Sequence, residues 1–121
     1  MPSSLSTALL TDKYELTMVD ATLRSDVADR HSVFELFGRK LPTTRRFGVV
    51  AGTGRILEAL QRFEFAPAQI DWLANQGVLS DQSLGYLQNF EFKGDIYGYA
   101  EGECYFSGSP LLTVEGTFAE C

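Results

Sequence analysis

The sequence predicts an α+β domain, and three observations carry that expectation. After a first helix, a strand is followed by three helical stretches and then by consecutive β-like segments, an order unlike the strict alternation of a parallel α/β sheet. Hydrophobic residues make up 45% of the chain and charged residues 21%, which excludes a disordered, low-complexity or collagen-like polymer. At 121 residues the chain fits one domain, and a domain of that size buries roughly two thirds of its unfolded surface, so it folds without disulfide or metal.

The first helix is expected from near Asp12 to Leu23, capped by Thr11 or Asp12, with Glu15 three residues beyond Asp12 at capping-box spacing. Leu16, Val19 and Leu23 form its core stripe, and Tyr14 and Met18 form a second stripe off the first. Val33 to Arg39 reads as a strand. Alternation places Phe34, Leu36 and Gly38 toward a core and Val33, Glu35, Phe37 and Arg39 on the opposite face.

A turn around Pro42 leads to a short apolar strand, Phe47 to Ala51. Gly52-Thr53-Gly54 opens the next helix, with Thr53 as its cap and Ile56, Leu57, Leu60 and Phe63 inward. Pro67 marks one further helix start and Gly77 its end. Ser80 caps Asp81 to Phe90, with Leu84 and Leu87 inward. Asp95–Glu101, Glu103–Phe106 and Leu111–Glu115 are strands, all expected to join Val33–Arg39 in one sheet with helices covering one side. Phe34, Leu36, Leu57, Leu60, Leu84, Leu87 and Val114 are the expected core. Gly116 breaks the last strand, and Thr117 with Glu120 has the spacing of a capped helix start at which the chain stops, so residues 1–121 read as the front part of something longer.

Charge sets aside several partners. A net charge of −6 suits neither nucleic acid nor an anionic membrane surface. No apolar run is long enough to span a bilayer, and Met1 to Leu10 lacks the basic start of a secretory signal. Cys104 and Cys121 form no metal-type spacing or disulfide framework, which points to a reducing, cytoplasmic setting, with Cys104 read as buried. The distribution is uneven: residues 1–62 hold nine Lys or Arg against seven acids, while residues 63–121 hold only Lys93 against nine. Arg39, Lys40, Arg45 and Arg46 crowd together, either as a solvated turn or as an anion site.

Motifs of chemistry are sparse. Gly52-Thr53-Gly54 lacks the third glycine of a dinucleotide loop and the Gly-Lys-Ser/Thr of a Walker loop, so it reads as a tight strand-to-helix turn. His31 is the lone histidine, which excludes a multi-histidine metal centre within the chain and places it in a surface loop. Ser107-Gly108-Ser109 completes no nucleophile elbow. By themselves these residues leave an enzyme and a binding module equally open.

Longer stretches carry a resemblance. Leu9-Leu10-Thr11-Asp12-Lys13-Tyr14-Glu15-Leu16-Thr17-Met18 resembles the opening signature of nicotinate phosphoribosyltransferases. Phe34-Glu35-Leu36-Phe37-Gly38-Arg39, Phe47-Gly48-Val49-Val50-Ala51-Gly52, Glu101-Gly102-Glu103 and Phe106-Ser107-Gly108-Ser109-Pro110-Leu111-Leu112-Thr113-Val114-Glu115-Gly116 resemble further family segments in the family's order. Ser107 departs from the proline found there in many members.

The resemblance implies the mixed, sandwich-like N-terminal α/β domain of a type II phosphoribosyltransferase, with the irregular α/β barrel that follows it absent from these residues. It implies an enzyme, cytoplasmic and dimeric, that joins nicotinate to 5-phosphoribosyl diphosphate with ATP hydrolysis and Mg²⁺ in NAD biosynthesis. The family carries a phosphorylated histidine, but His31 matches no part of that motif, and no catalytic residue is carried onto this chain. Tyr14 matches the tyrosine that stacks on the pyridine across the dimer, and Arg39 matches an arginine near the phosphate end. Asp12 and Thr11 are weaker candidates, for which capping is the competing role. The segment alone is expected to bind neither ATP nor Mg²⁺ and to be inactive. A nicotinamide-using relative and a non-catalytic assembly module are the alternatives.

Overall fold

The computed structural model describes residues 6–121, so Met1–Leu5 of the opening stretch lie outside the described residues. The elements run α1 (Lys13–Arg24), β1 (His31–Phe37), β2 (Gly48–Val49), α2 (Thr53–Leu60), α3 (Pro67–Gln76), α4 (Asp81–Gln88), β3 (Asp95–Gly98), β4 (Cys104–Tyr105) and β5 (Pro110–Thr117). Helices and antiparallel sheets are mixed in one chain, as the α+β order requires.

Local chemistry fixes the helix ends. Asp12 is the N-cap of α1, and the Glu15 carboxylate accepts from the Asp12 N–H at 3.1 Å. Gly52 is the N-cap of α2 with φ 102, a left-handed conformation that glycine adopts without strain, so Thr53 is the first helical residue rather than the cap. Pro67 opens α3, whose end is closed by Gly77. Ser80 caps α4, its side chain accepting from the Ser83 N–H.

Three helices make the core. Leu73 of α3 is 2% exposed and packs with Ala8, Phe65 and Leu87, ringed by Leu16, Phe63, Ile70, Leu84 and Phe90. Phe63, Phe65 and Phe90 meet edge to face at centroid separations of 5.5 to 6.1 Å. α1 and α3 both pack on α4.

The sheet follows a different rule. β5 is central, with β1 and β3 antiparallel on either side, in the order β1-β5-β3. Phe34, Val114 and Ile96 share one cross-strand row, and Leu36, Leu112 and Gly98 share the next. The predicted alternation therefore holds, but its burial does not. Phe34 is 39% exposed and Leu36 52%, and Val33 on the opposite face is also 52% exposed. The helices pack against one another and leave both sheet faces uncovered near β1. Leu87 is buried as expected, Leu60, Leu84 and Val114 are half-buried, and Ile56 and Leu57 are exposed because α2 does not close onto the sheet. Leu112 fills the buried sheet position.

Other expectations shift with pairing. β5 runs through Gly116 to Thr117, since Ser32 and His31 of β1 pair with those residues and carry the ladder past the glycine. No helix begins at Thr117 within the described residues. A turn follows in which Glu120 Oε2 accepts from the Thr117 N–H at 3.0 Å and the Thr117 hydroxyl at 2.8 Å. His31 starts β1 rather than lying in a loop, its Nε2 2.8 Å from Glu115 Oε1. β4 pairs with β2 in a separate two-stranded sheet, and Cys104 there is exposed instead of buried. The Tyr105 ring lies over Gly48, where a Cβ would come within 2.4 Å of it.

Candidate functional site

Thr11, Asp12, Tyr14 and Arg39 lie on two separate parts of the molecule. The first three belong to the start of α1, a helix that packs on α4 and not on β1. Tyr14 is 59% exposed, with the exposed Met18 one turn beyond, so its ring stands clear of the core stripe as the spacing predicts. Asp12 caps the helix, and Thr11 lies exposed in the bend before it. The role of Asp12 at the helix start is one that the fold already explains.

Arg39 lies two residues beyond the end of β1, not within the strand. The loop that carries it is fastened to the 106–109 turn. Gly38 O accepts from the Gly108 N–H at 2.9 Å, and the Ser107 Oγ accepts from the Leu41 N–H at 3.2 Å. The serine that departs from the family's proline therefore holds this loop. Arg39, Lys40, Arg45 and Arg46 are all exposed, and among the described residues none forms a salt bridge. Four unpaired cations on a tethered loop can meet an anion, as guanidinium groups meet phosphate or carboxylate.

Two carboxylates have roles that spacing did not mark. Glu101 accepts from the Gly52 N–H at 2.9 and 3.0 Å and from the Gly54 N–H at 3.0 Å. Those backbone donors, Gly54 first and then Gly52, hold its pKa below the ordinary glutamate value. The N-terminus of α2 is thus occupied by the protein's own carboxylate, which agrees with a strand-to-helix turn and not with a phosphate loop.

Asp20 is 8% exposed and receives the Ser80 N–H at 2.9 Å, the Ser80 hydroxyl at 2.5 Å and the Ser83 hydroxyl at 2.7 Å. The Ser80 bonds, its hydroxyl foremost, drive the Asp20 pKa well below the usual carboxylate range against the opposing effect of burial. This network locks α1 to the start of α4. The signal was in the sequence: Asp20 follows Leu16 by four and belongs to the core stripe. No hydrogen bond or salt bridge joins Tyr14 to Arg39 among the described residues.

An exposed aromatic ring on one element and an exposed cationic loop on another, with no assembled catalytic group among the described residues, define an α+β domain that can contribute contacts to a site. Similarity to known proteins says which. Residues 9–121 match the family model of the nicotinate phosphoribosyltransferase (NAPRTase) N-terminal domain, and the chain belongs to that family.

It is 58% identical over 113 residues to the nicotinate phosphoribosyltransferase pncB1 of Mycobacterium tuberculosis, a match covering 93% of this chain and 25% of that protein. The nicotinate phosphoribosyltransferase of Bacillus subtilis is 30% identical over 95% of this chain and 24% of its own length. The crystal structure of human nicotinic acid phosphoribosyltransferase superposes with a TM-score of 0.79 at 28% identity, covering 90% of this chain and 22% of the human one. The chain spans about a quarter of the length of these relatives. The mixed α+β fold agrees with the human N-terminal region.

Proposed function

We propose that residues 1–121 form the N-terminal part of a nicotinate phosphoribosyltransferase and contribute contacts, not the reacting groups, to its site. The observation that carries this reading is the family match over residues 9–121 together with the superposition on the human enzyme. In the reaction, the pyridine nitrogen of nicotinate bonds to C1 of 5-phosphoribosyl diphosphate as the C1–O bond to diphosphate breaks, giving nicotinate mononucleotide in NAD biosynthesis. Tyr14 offers a flat aromatic face that suits stacking on the pyridine. Its exposure favours a ring in another subunit of a homodimer over one in its own core. Arg39, outside β1 on a tethered loop, is the phosphate contact, with fixed charge and bidentate geometry.

ATP and Mg²⁺ belong to the whole enzyme in this reading. Among the described residues no three His, Cys, Asp or Glu side chains come together. No helix among the described residues is long and apolar enough to cross a membrane.

The test is a chimera in which residues 1–121 replace the matching segment of the Mycobacterium tuberculosis relative. Tyr14→Ala is expected to raise the nicotinate KM roughly tenfold, as losing about 1.4 kcal/mol of stacking and contact would do. Tyr14→Phe is expected to be mild. An unchanged KM for Tyr14→Ala overturns the stacking role. The purified 121-residue chain is expected to make no nicotinate mononucleotide, and turnover by it overturns the division of labour proposed here.

A further inference from the structure

The two faces of the three-stranded sheet differ in a way that the proposed contacts do not use. On the face of Phe34 the strand positions are Ser32, Phe34 and Leu36 of β1, Ile96 and Gly98 of β3, and Leu112, Val114 and Gly116 of β5. None of them carries a charge. The opposite face holds His31, Glu35, Asp95 and Glu115, with His31 paired to Glu115. A face without charge matches the centre of an interface, where charged residues are depleted.

That uncharged face is only loosely roofed. Phe118 meets Phe34 edge to face at 5.6 Å, and α2 leaves two shallow clefts of about 330 and 320 Å³ that share Leu57 and Ile96. Leu36, Ile56 and Leu57 are exposed around them.

We propose that the exposed part of this uncharged face, Phe34 and Leu36 of β1 with Ile56 and Leu57 of α2 around the buried Leu112, is the docking surface for the polypeptide that follows this domain in the longer family members. Two observations select that occupant. The relatives match 93 to 95% of this chain yet are about four times its length. The face also has the composition of a buried sheet layer rather than of a wet, transient contact. The inference rests on the family membership and not on the proposed activity.

Co-expression tests it. The 121-residue chain is produced together with a tagged chain made of the Mycobacterium tuberculosis relative without its matching segment. The two are expected to copurify in equal amounts. Leu36→Glu and Leu57→Glu are each expected to cut copurification at least tenfold, while Glu35→Lys on the charged face leaves it unchanged. All three variants alone are expected to keep the parent's circular dichroism and to melt within about 8 °C of it, because the three side chains are exposed in the isolated chain.

Copurification that ignores Leu36→Glu and Leu57→Glu overturns the proposal, as does failure of the folded chain to copurify at all. So does a homodimer of the 121-residue chain that Leu36→Glu dissociates, since the occupant would then be a second copy. A complex sensitive to Leu36→Glu that makes no nicotinate mononucleotide leaves the docking surface standing and overturns the activity. Turnover indifferent to Leu36→Glu does the reverse.

Discussion

The helical half and the sheet half of this chain dispose of their apolar side chains differently. Leu73 and Leu87 disappear among α3, α4 and the Phe63–Phe65–Phe90 cluster. Phe34, Leu36, Val33 and Phe37 of β1 remain at the surface on both faces of their strand. Amphipathic helices carry one apolar stripe each and can satisfy one another in a bundle. A strand that is apolar on both faces needs two covering layers, which this chain does not supply. The contrast separates a part whose apolar side chains cover one another from a part whose apolar side chains stay at the surface.

The largest effects should come from the helical half. Leu73→Ala is expected to cost about 4 kcal/mol, since the cavity opens in a place with little room to relax. Thermal unfolding should then fall by about 10 °C or more. A shift of only a degree or two would show that the helical core is not the stable unit, and the contrast would break.

Asp20 sharpens the same point. Asp20→Asn is expected to cost about 2 kcal/mol at neutral pH, because it weakens charge-assisted bonds from Ser80 and Ser83 that join α1 to α4. The pH dependence has a definite sign. The folded-state pKa of Asp20 lies below its ordinary value of 3.8, so its contribution is complete above the unfolded pKa and is lost as pH falls toward the folded one. Urea melts of the parent and Asp20→Asn should differ most at neutral pH and converge below the ordinary carboxylate range. A constant gap at all pH values would remove the charge from the explanation.

A smaller effect is expected at the junction of the two-stranded sheet. Gly48→Ala places a methyl group within 2.4 Å of the Tyr105 ring, which must then move. The ring belongs to a short sheet of two pairs, so displacement should cost about 1–2 kcal/mol. Tyr105→Ala in the same background should relieve most of the clash, a non-additivity that a double-mutant cycle reads directly.

What was legible in the sequence divides along the same line. The Asp12 and Ser80 caps, Pro67 at the start of α3 and Gly77 at its end are local choices, and the backbone follows them. The exposure of Tyr14 follows from its place off the Leu16–Val19–Leu23 stripe. Sheet properties depend on distant partners. Gly116 looks like a strand breaker until Ser32 pairs with it, and β4 looks like a neighbour of β5 until the Tyr105 ring finds Gly48. The exposure of Phe34 and Leu36 is not legible, because alternation tells which face a side chain takes and not whether anything covers it. In the candidate site, the strand before Arg39 ends at Phe37, and nothing in the spacing of Glu101 marks its role at the α2 N-terminus.

The least disruptive substitution is the one that measures the contrast most directly. Leu36→Ala removes a large side chain from β1, but more than half of that side chain's residue surface already meets solvent. Burial can therefore return only part of the 1.5–3 kcal/mol that full burial of a leucine is worth, and the expected cost in the isolated chain is about 1 kcal/mol or less. Cross-strand contact with Leu112 supplies that remainder. In the complex with the polypeptide proposed to cover this face, the same substitution should cost about 2–5 kcal/mol, because a covered leucine leaves a cavity. Melting curves of the chain alone and of the complex compare the two directly. Equal costs in both would mean that Leu36 faces solvent in the assembled protein as well, and the uncharged face would need another explanation.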